Sequence, residues 1–173
     1  LFITDAAINI FPDLEAKRDI VQNVIDLFTQ AGLGTPRVAI LSAVETVTPK
    51  IPSTIAAALC KMAKRGQIRG GILDGPLAFD NALDPEAAKI KGITSAVAGR
   101  AQILVVHDLE AGNMLDKNLT FLAKADAAGM VLGARVPIIL TSRADSVRSR
   151  MASCAVAVLY AHARRSTAAV PAA

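Results

Sequence analysis

Short apolar runs alternate along this chain with longer stretches in which apolar residues recur every three or four positions. Residues 1–4 (LFIT) have the first form. Between 12 and 31 the second takes over: Leu14, Val21, Val24, Ile25, Phe28 and Ala31 share one face of a predicted helix, with Pro12 suited to its opening turn and Gly32 to its stop. Residues 38–41 form a second strand-length run, followed by a Thr/Pro-rich loop and a helix over 52–65 that stops at Gly66. A third strand is predicted at 71–73, and 74–82 reads as a loop before a short helix opened by Asp84-Pro85-Glu86. Residues 102–106 read as a buried strand, 108–113 as a loop and 114–125 as a helix. Two further strands, 129–132 and 137–140, are separated only by 133–136, too short for a parallel crossover. One of them must therefore run antiparallel or join another sheet. A last helix is predicted from 144 to 163, and the tail 164–173, rich in Ser, Thr, Ala and Pro, as disordered.

This alternation predicts an α/β fold: a mostly parallel sheet flanked by helices, with strands apolar throughout because both faces are covered. Asp5, Ser42, Asp74, Asp108 and the Thr141-Ser142-Arg143 triplet each follow a predicted strand directly. In open α/β sheets ligands bind at the carboxyl ends of the strands, so these positions converge on one rim. Polar residues there also serve as turn formers and helix caps, and the pattern alone leaves both roles open.

Composition narrows the classes. A chain of 173 residues makes one domain or two small lobes, and 53% apolar against 20% charged residues excludes disorder as the main state. Five Phe, one Tyr and no Trp leave few platforms for stacking bases, so a pI near 9.3 does not imply nucleic acid. The net charge of +4 is unevenly placed: 134–173 carries six Arg, no Lys and a single acid, Asp145. Arginine suits bidentate recognition of phosphate or carboxylate, whereas Arg148, Arg164 and Arg165 read equally well as a solvated basic face. Cys60 and Cys154 lie in apolar helical patterns, where both thiols are expected to pack as small hydrophobes in a reduced, cytoplasmic protein. The apolar run 151–163 is too short to span a bilayer, so no membrane partner is expected. The chain opens on a strand pattern without an initiator Met or signal peptide, which suggests a fragment or a processed chain.

Several chemistries lack their parts. There is no G-x-G-x-x-G after a strand, no P-loop and no G-x-S-x-G elbow, and His107 and His162 are isolated, with no metal-ligand spacing around them. An anion-handling rim is what the residues support. Ser142 and Arg143 stand between a strand and a helix N-terminus, where free N–H groups and the helix dipole favour phosphate. Glu110-Ala111-Gly112-Asn113 offers close backbone approach at glycine and an amide that both donates and accepts, or equally a helix cap.

Taken in order, Thr4-Asp5-Ala6-Ala7-Ile8-Asn9, Ser42-Ala43-Val44-Glu45-Thr46, Asp74-Gly75-Pro76-Leu77-Ala78-Phe79-Asp80, Asp108-Leu109-Glu110-Ala111-Gly112-Asn113-Met114 and Pro137-Ile138-Ile139-Leu140-Thr141-Ser142-Arg143-Ala144-Asp145-Ser146 closely resemble the phosphate acetyltransferase and phosphate butyryltransferase family over 1–161. The 141–146 form looks more like the butyryl-type branch or the transferases fused to enoyl-CoA hydratases. The resemblance implies exchange of coenzyme A and phosphate on a short acyl group, with coenzyme A as substrate and no cofactor or metal. It also implies a fold similar to isocitrate and isopropylmalate dehydrogenases, two lobes around a cleft, and a homodimer. Residues 1–125 would be the second lobe and 126–163 a returning segment of the first, the upstream half being absent and the isolated piece inactive.

By the same resemblance Arg143 binds phosphate and stabilises its leaving charge. Ser142 hydrogen-bonds the carbonyl oxygen or sulfur, Gly112 and Asn113 close the phosphate side, and Thr141, Asp74 and Asp5 complete the substrate rim. Acetyl-type members carry a carboxylate base seven residues after the serine of the Ser-Arg pair; here that position is Ser149. Asp145 is the nearest acid, a general base or only a cap, with proton loss to solvent or substrate phosphate as alternatives. The alternative function is a non-catalytic acyl-CoA sensing module, like similar domains appended to malic enzymes.

Overall fold

The computed structural model of the protein describes residues 1–168. Helix α1 (Leu14–Gln30) begins at Asp13, whose carboxylate accepts the Ala16 N–H at 2.8 Å, and it buries Val21, Val24, Ile25 and Phe28. Four strands, β1 (Phe2–Thr4), β2 (Arg37–Leu41), β3 (Ile72–Leu77) and β4 (Ile103–Val105), pair in parallel in the order β1-β4-β2-β3. Side chains alternate across the sheet. Val38 and Ile40 of β2 and Ile103 and Val105 of β4 meet the apolar face of α1, whereas Ala39 and Leu104 face the opposite layer with Ala82 and Ala88. Both faces of the parallel sheet are thus covered, as its unbroken apolar strands require.

On the first face a 3₁₀ turn (Pro52–Ala57) leads into α2 (Ala58–Lys64). Seven residues are too few to hold a helix in water, where about 12 are needed. Burial of Leu59 against α1 and β2 supplies the difference. On the second face lie α3 (Phe79–Leu83), α4 (Pro85–Ile90), which Asp84 caps through the Glu86 N–H, and α5 (Leu109–Lys117), extended by a π turn over Asn118–Leu122. A separate antiparallel pair, β5 (Met130–Val131) with β6 (Ile138–Ile139), obeys the short-connection rule, and α6 (Val147–Ala168) packs beside both it and α1.

Four expectations need correction. Residues 74–77, read as loop, complete β3, because Gly75 lacks the Cβ that would lie 2.6 Å from the Ile40 Cβ and so lets the strand close on β2. Asp74 therefore sits within β3, paired with Ala39, rather than after it at the rim. Residues 108–113 are also not a loop: Asp108 accepts the Ala111 N–H at 2.8 Å and starts α5 at once. The tail expected to be disordered from 164 is helical as far as Ala168, and 169–173 lie outside the described residues. Finally, Cys60 packs against the core but Cys154 is exposed on α6.

Candidate active site

At the carboxyl end of the sheet the chain leaves its two central strands in opposite directions. After β2 it turns through the 3₁₀ segment and α2 toward β3; after β4 it enters α5, which packs on β1. The gap between β2 and β4 is thus a topological switch point, where open α/β sheets place their ligands. A hollow of about 230 Å³ opens there. Its walls are mainly apolar, from Leu41 at the end of β2 and Ala43 just after it, Val106 after β4, Phe79 of α3, and Ala111 and Leu115 of α5. Its polar members are His107, Ser42 and Ser53, and the two serine hydroxyls hydrogen-bond each other at 2.8 Å.

His107 also borders a smaller hollow of about 160 Å³ on the α1 side of the sheet, together with Lys17. Lys17 is only 5% exposed, and its ammonium donates to the carbonyls of Val106, at 3.4 Å, and His107. Burial lowers its pKa, against an opposing pull from Asp108. Burial and then the Lys17 charge depress the His107 imidazole in turn, and its Nδ1 is buried without a hydrogen-bond partner. In sequence His107 reads as an isolated histidine, and Lys17 carries no motif. The signal for Lys17 was nonetheless present, since it falls between Leu14 and Val21 on the apolar stripe of α1.

The predicted site residues fall into separate groups. Asp5 is one organiser of the rim: its carboxylate accepts the N–H groups of Ala7, Ile8 and Asn9 at 2.9, 3.0 and 2.9 Å and the Asn9 amide at 2.6 Å. Burial alone would raise its pKa, but these four bonds outweigh it and hold the carboxyl below its ordinary value. Gly112 packs directly on this loop, since a Cβ there would lie 2.8 Å from both Ala6 Cα and Asp5 O and 2.9 Å from Val106 Cγ2. Asp5 and Gly112 are therefore brought together, with Asn113 exposed on the next step of α5. Asp74 stands apart inside β3: it accepts the Gly75 N–H at 2.8 Å, and burial and its charge push the Cys60 thiol up to about 11.

The second group is the turn between β6 and α6. Asp145 accepts the Ser142 N–H at 2.6 Å while its own N–H returns to the Ser142 carbonyl at 3.1 Å, closing a tight reciprocal turn. The Ser142 hydroxyl accepts the Ala144 N–H at 3.3 Å, which leaves its own hydrogen available to donate. Thr141, half-buried, precedes it, and Arg143 is exposed at the tip, its carbonyl held by Arg150 at 3.2 Å. Among the described residues the Arg143 guanidinium has no hydrogen bond or ion pair, and none joins this turn to the Asp5–Gly112 group. Ser149 Oγ pairs with Ser146 Oγ at 3.1 Å. Of the other basic residues weighed for an anion, Arg148 pairs with Asp126 at 2.7 Å and Arg164 donates to the Ala134 carbonyl at 3.0 Å.

A family model described as Phosphate acetyl/butaryl transferase matches residues 1–158. The Rhizobium meliloti phosphate acetyltransferase is 82% identical over 166 residues, a match that takes in 95% of this chain and 52% of that protein. The Bacillus subtilis (strain 168) probable phosphate butyryltransferase is 51% identical over 159 residues, 91% of this chain and 53% of that protein. The higher of these two identities goes with the acetyl name, against the butyryl-type likeness of 141–146. A branched-chain phosphotransacylase from Enterococcus faecalis V583 superposes with a TM-score of 0.85 at 36% identity, covering 92% of this chain and 58% of that one. The chain spans about half the length of the curated relatives it matches. With a parallel sheet whose rim carries Asp5 and Gly112, and with the Ser142-Arg143 turn following them in the expected order along the chain, the chain belongs to the phosphate acetyl/butyryl transferase family.

Proposed function

We propose that the polypeptide carrying this chain is a phosphate acyltransferase that exchanges coenzyme A and inorganic phosphate on a short acyl group. The observation that carries this reading is the Ser142–Asp145 turn, which presents a free guanidinium and a hydroxyl with an available hydrogen side by side. In the direction of acyl-CoA synthesis the thiol of coenzyme A loses its proton and the sulfur attacks the carbonyl carbon of an acyl phosphate. The C–S bond forms, the C–O bond to phosphorus breaks, and phosphate leaves as a dianion. Arg143 forks onto the phosphate oxygens and takes up the charge that grows there. Ser142 donates to the carbonyl oxygen, Gly112 and Asn113 close the phosphate side, and Thr141 contributes to substrate binding. Asp5 positions the loop under α5.

Asp145 acts by holding this turn. Its carboxylate is engaged by the Ser142 N–H, and Ser149 offers no carboxylate at the alternative position, so the thiol proton passes to water or to a phosphate oxygen. Coenzyme A serves as a substrate, the reaction needs no cofactor, and the whole protein works as a cytoplasmic homodimer. No described helix is long and apolar enough to cross a membrane. Residues 1–125 act as one lobe and 126–163 as part of another, so this chain alone supplies one wall of the cleft and does not turn over. No observation favours a non-catalytic acyl-CoA sensing module. Incubating the full-length polypeptide with acetyl phosphate and coenzyme A and following thioester absorbance tests the reading. Thioester formation is expected; tight acyl-CoA binding without exchange would replace this reading with the sensor.

A further inference from the structure

The hollow at the switch point has a chemistry that the Ser142-Arg143 turn does not share. Of its lining residues only His107 titrates, and burial and the neighbouring Lys17 charge hold that imidazole toward its neutral form. Ser42 and Ser53 share one hydrogen bond, which leaves a single hydroxyl hydrogen to donate and no charge. A phosphate dianion placed here would lose its water without gaining a counter-charge, which is prohibitive. At about 230 Å³ the hollow is also smaller than the roughly 300–1,000 Å³ sites that hold drug-sized ligands, so a nucleotide does not fit. What fits is a short apolar chain. Ala111, on the wall, stands in the same first turn of α5 as Gly112 and Asn113. From these facts we infer that the hollow between β2, β4 and α5 seats the alkyl part of the transferred acyl group, and that Ala111 and Phe79 set the length it accepts.

This inference rests on the acyltransferase reading above. Each methylene taken from water into such a site is worth about fourfold in kcat/KM, so a four-carbon acyl group draws roughly tenfold or more from the hollow relative to acetyl. Ala111 and Phe79 are both exposed to the hollow rather than locked in the core, which makes them suitable probes. The test uses the full-length polypeptide, with phosphate and acetyl-, butyryl- or hexanoyl-CoA, and compares kcat/KM ratios.

Ala111→Phe fills the space and is expected to lower the butyryl-to-acetyl ratio about tenfold. Phe79→Ala opens the opposite wall and is expected to raise the hexanoyl-to-acetyl ratio about fourfold or more, and it decides the matter if Ala111→Phe fails to fold. Unchanged ratios with persistent acetyl exchange would overturn the inference and leave the acyltransferase reading standing. Exchange with none of the three acyl-CoAs in the unsubstituted protein would overturn that reading and the inference with it.

Discussion

Gly112 shows how a single atom positions the rim. Any side chain there would collide with the Asp5 carbonyl and Ala6 backbone, which have little freedom because Asp5 is pinned by four hydrogen bonds. Gly112→Ala is expected to cost about 1–3 kcal/mol through overpacking, read as a lower urea midpoint with an unchanged m-value. Asp5 makes a second prediction. Its folded pKa lies below the ordinary carboxylate value, so the folded state binds fewer protons than the unfolded state. The stability it confers is present at neutral pH and is lost as pH falls below about 4. Asp5→Asn should lower the melting temperature at pH 7 and flatten its fall between about pH 4 and 2; an acid limb identical to that of the unsubstituted chain would contradict this. Both residues were legible as polar or glycine positions after strands. Their partnership was not, because it joins residues more than a hundred apart through one backbone contact that no local pattern encodes.

Among the elements, the apolar runs marked β1, β2, β4 and α1 to within a few residues, since their burial pattern is the same fact as their packing. The sequence pattern failed at β3 and α5, where Asp, Gly and Pro signal turns: a tertiary contact overrode the signal in β3, and a local cap gave it another meaning in α5. In β3 the space vacated at Gly75 admits the β2 backbone, and in α5 the residue expected to open a loop became the N-cap. That cap yields a third prediction. Asp108→Ala should cost about 1 kcal/mol and fray the first turn of α5, seen as faster amide exchange at Ala111 and Gly112. Because that turn carries Gly112, Asn113 and the wall of the hollow, KM for acyl-CoA in the full-length polypeptide should rise with it. Exchange rates at these two amides equal to those of the unsubstituted protein would show that the helix start does not depend on the cap.

At the scale of the molecule, the two groups of candidate residues differ in chemistry and come from different sheets. The switch point between β2 and β4 is apolar, while the Ser142-Arg143 turn, delivered by the separate β5–β6 hairpin and α6, is polar and cationic. An acyl phosphate has the same two ends. The motif order made family membership legible from the residues alone, but the separation of the site residues into two groups on different sheets was not, and the chain spans only about half of its relatives. The 173-residue chain by itself is expected to show no acyl exchange, measured beside the full-length polypeptide at equal concentration. Losing the guanidinium removes the group meant to hold the leaving charge, an effect of roughly 10²–10³ in rate for one well-aimed donor. The decisive measurement is therefore the rate at which the full-length polypeptide forms acetyl-CoA from acetyl phosphate, compared with its Arg143→Ala variant. A fall of at least about a hundredfold with an unchanged melting temperature is the predicted result; turnover equal to that of the unsubstituted protein would contradict the assignment of phosphate to this turn.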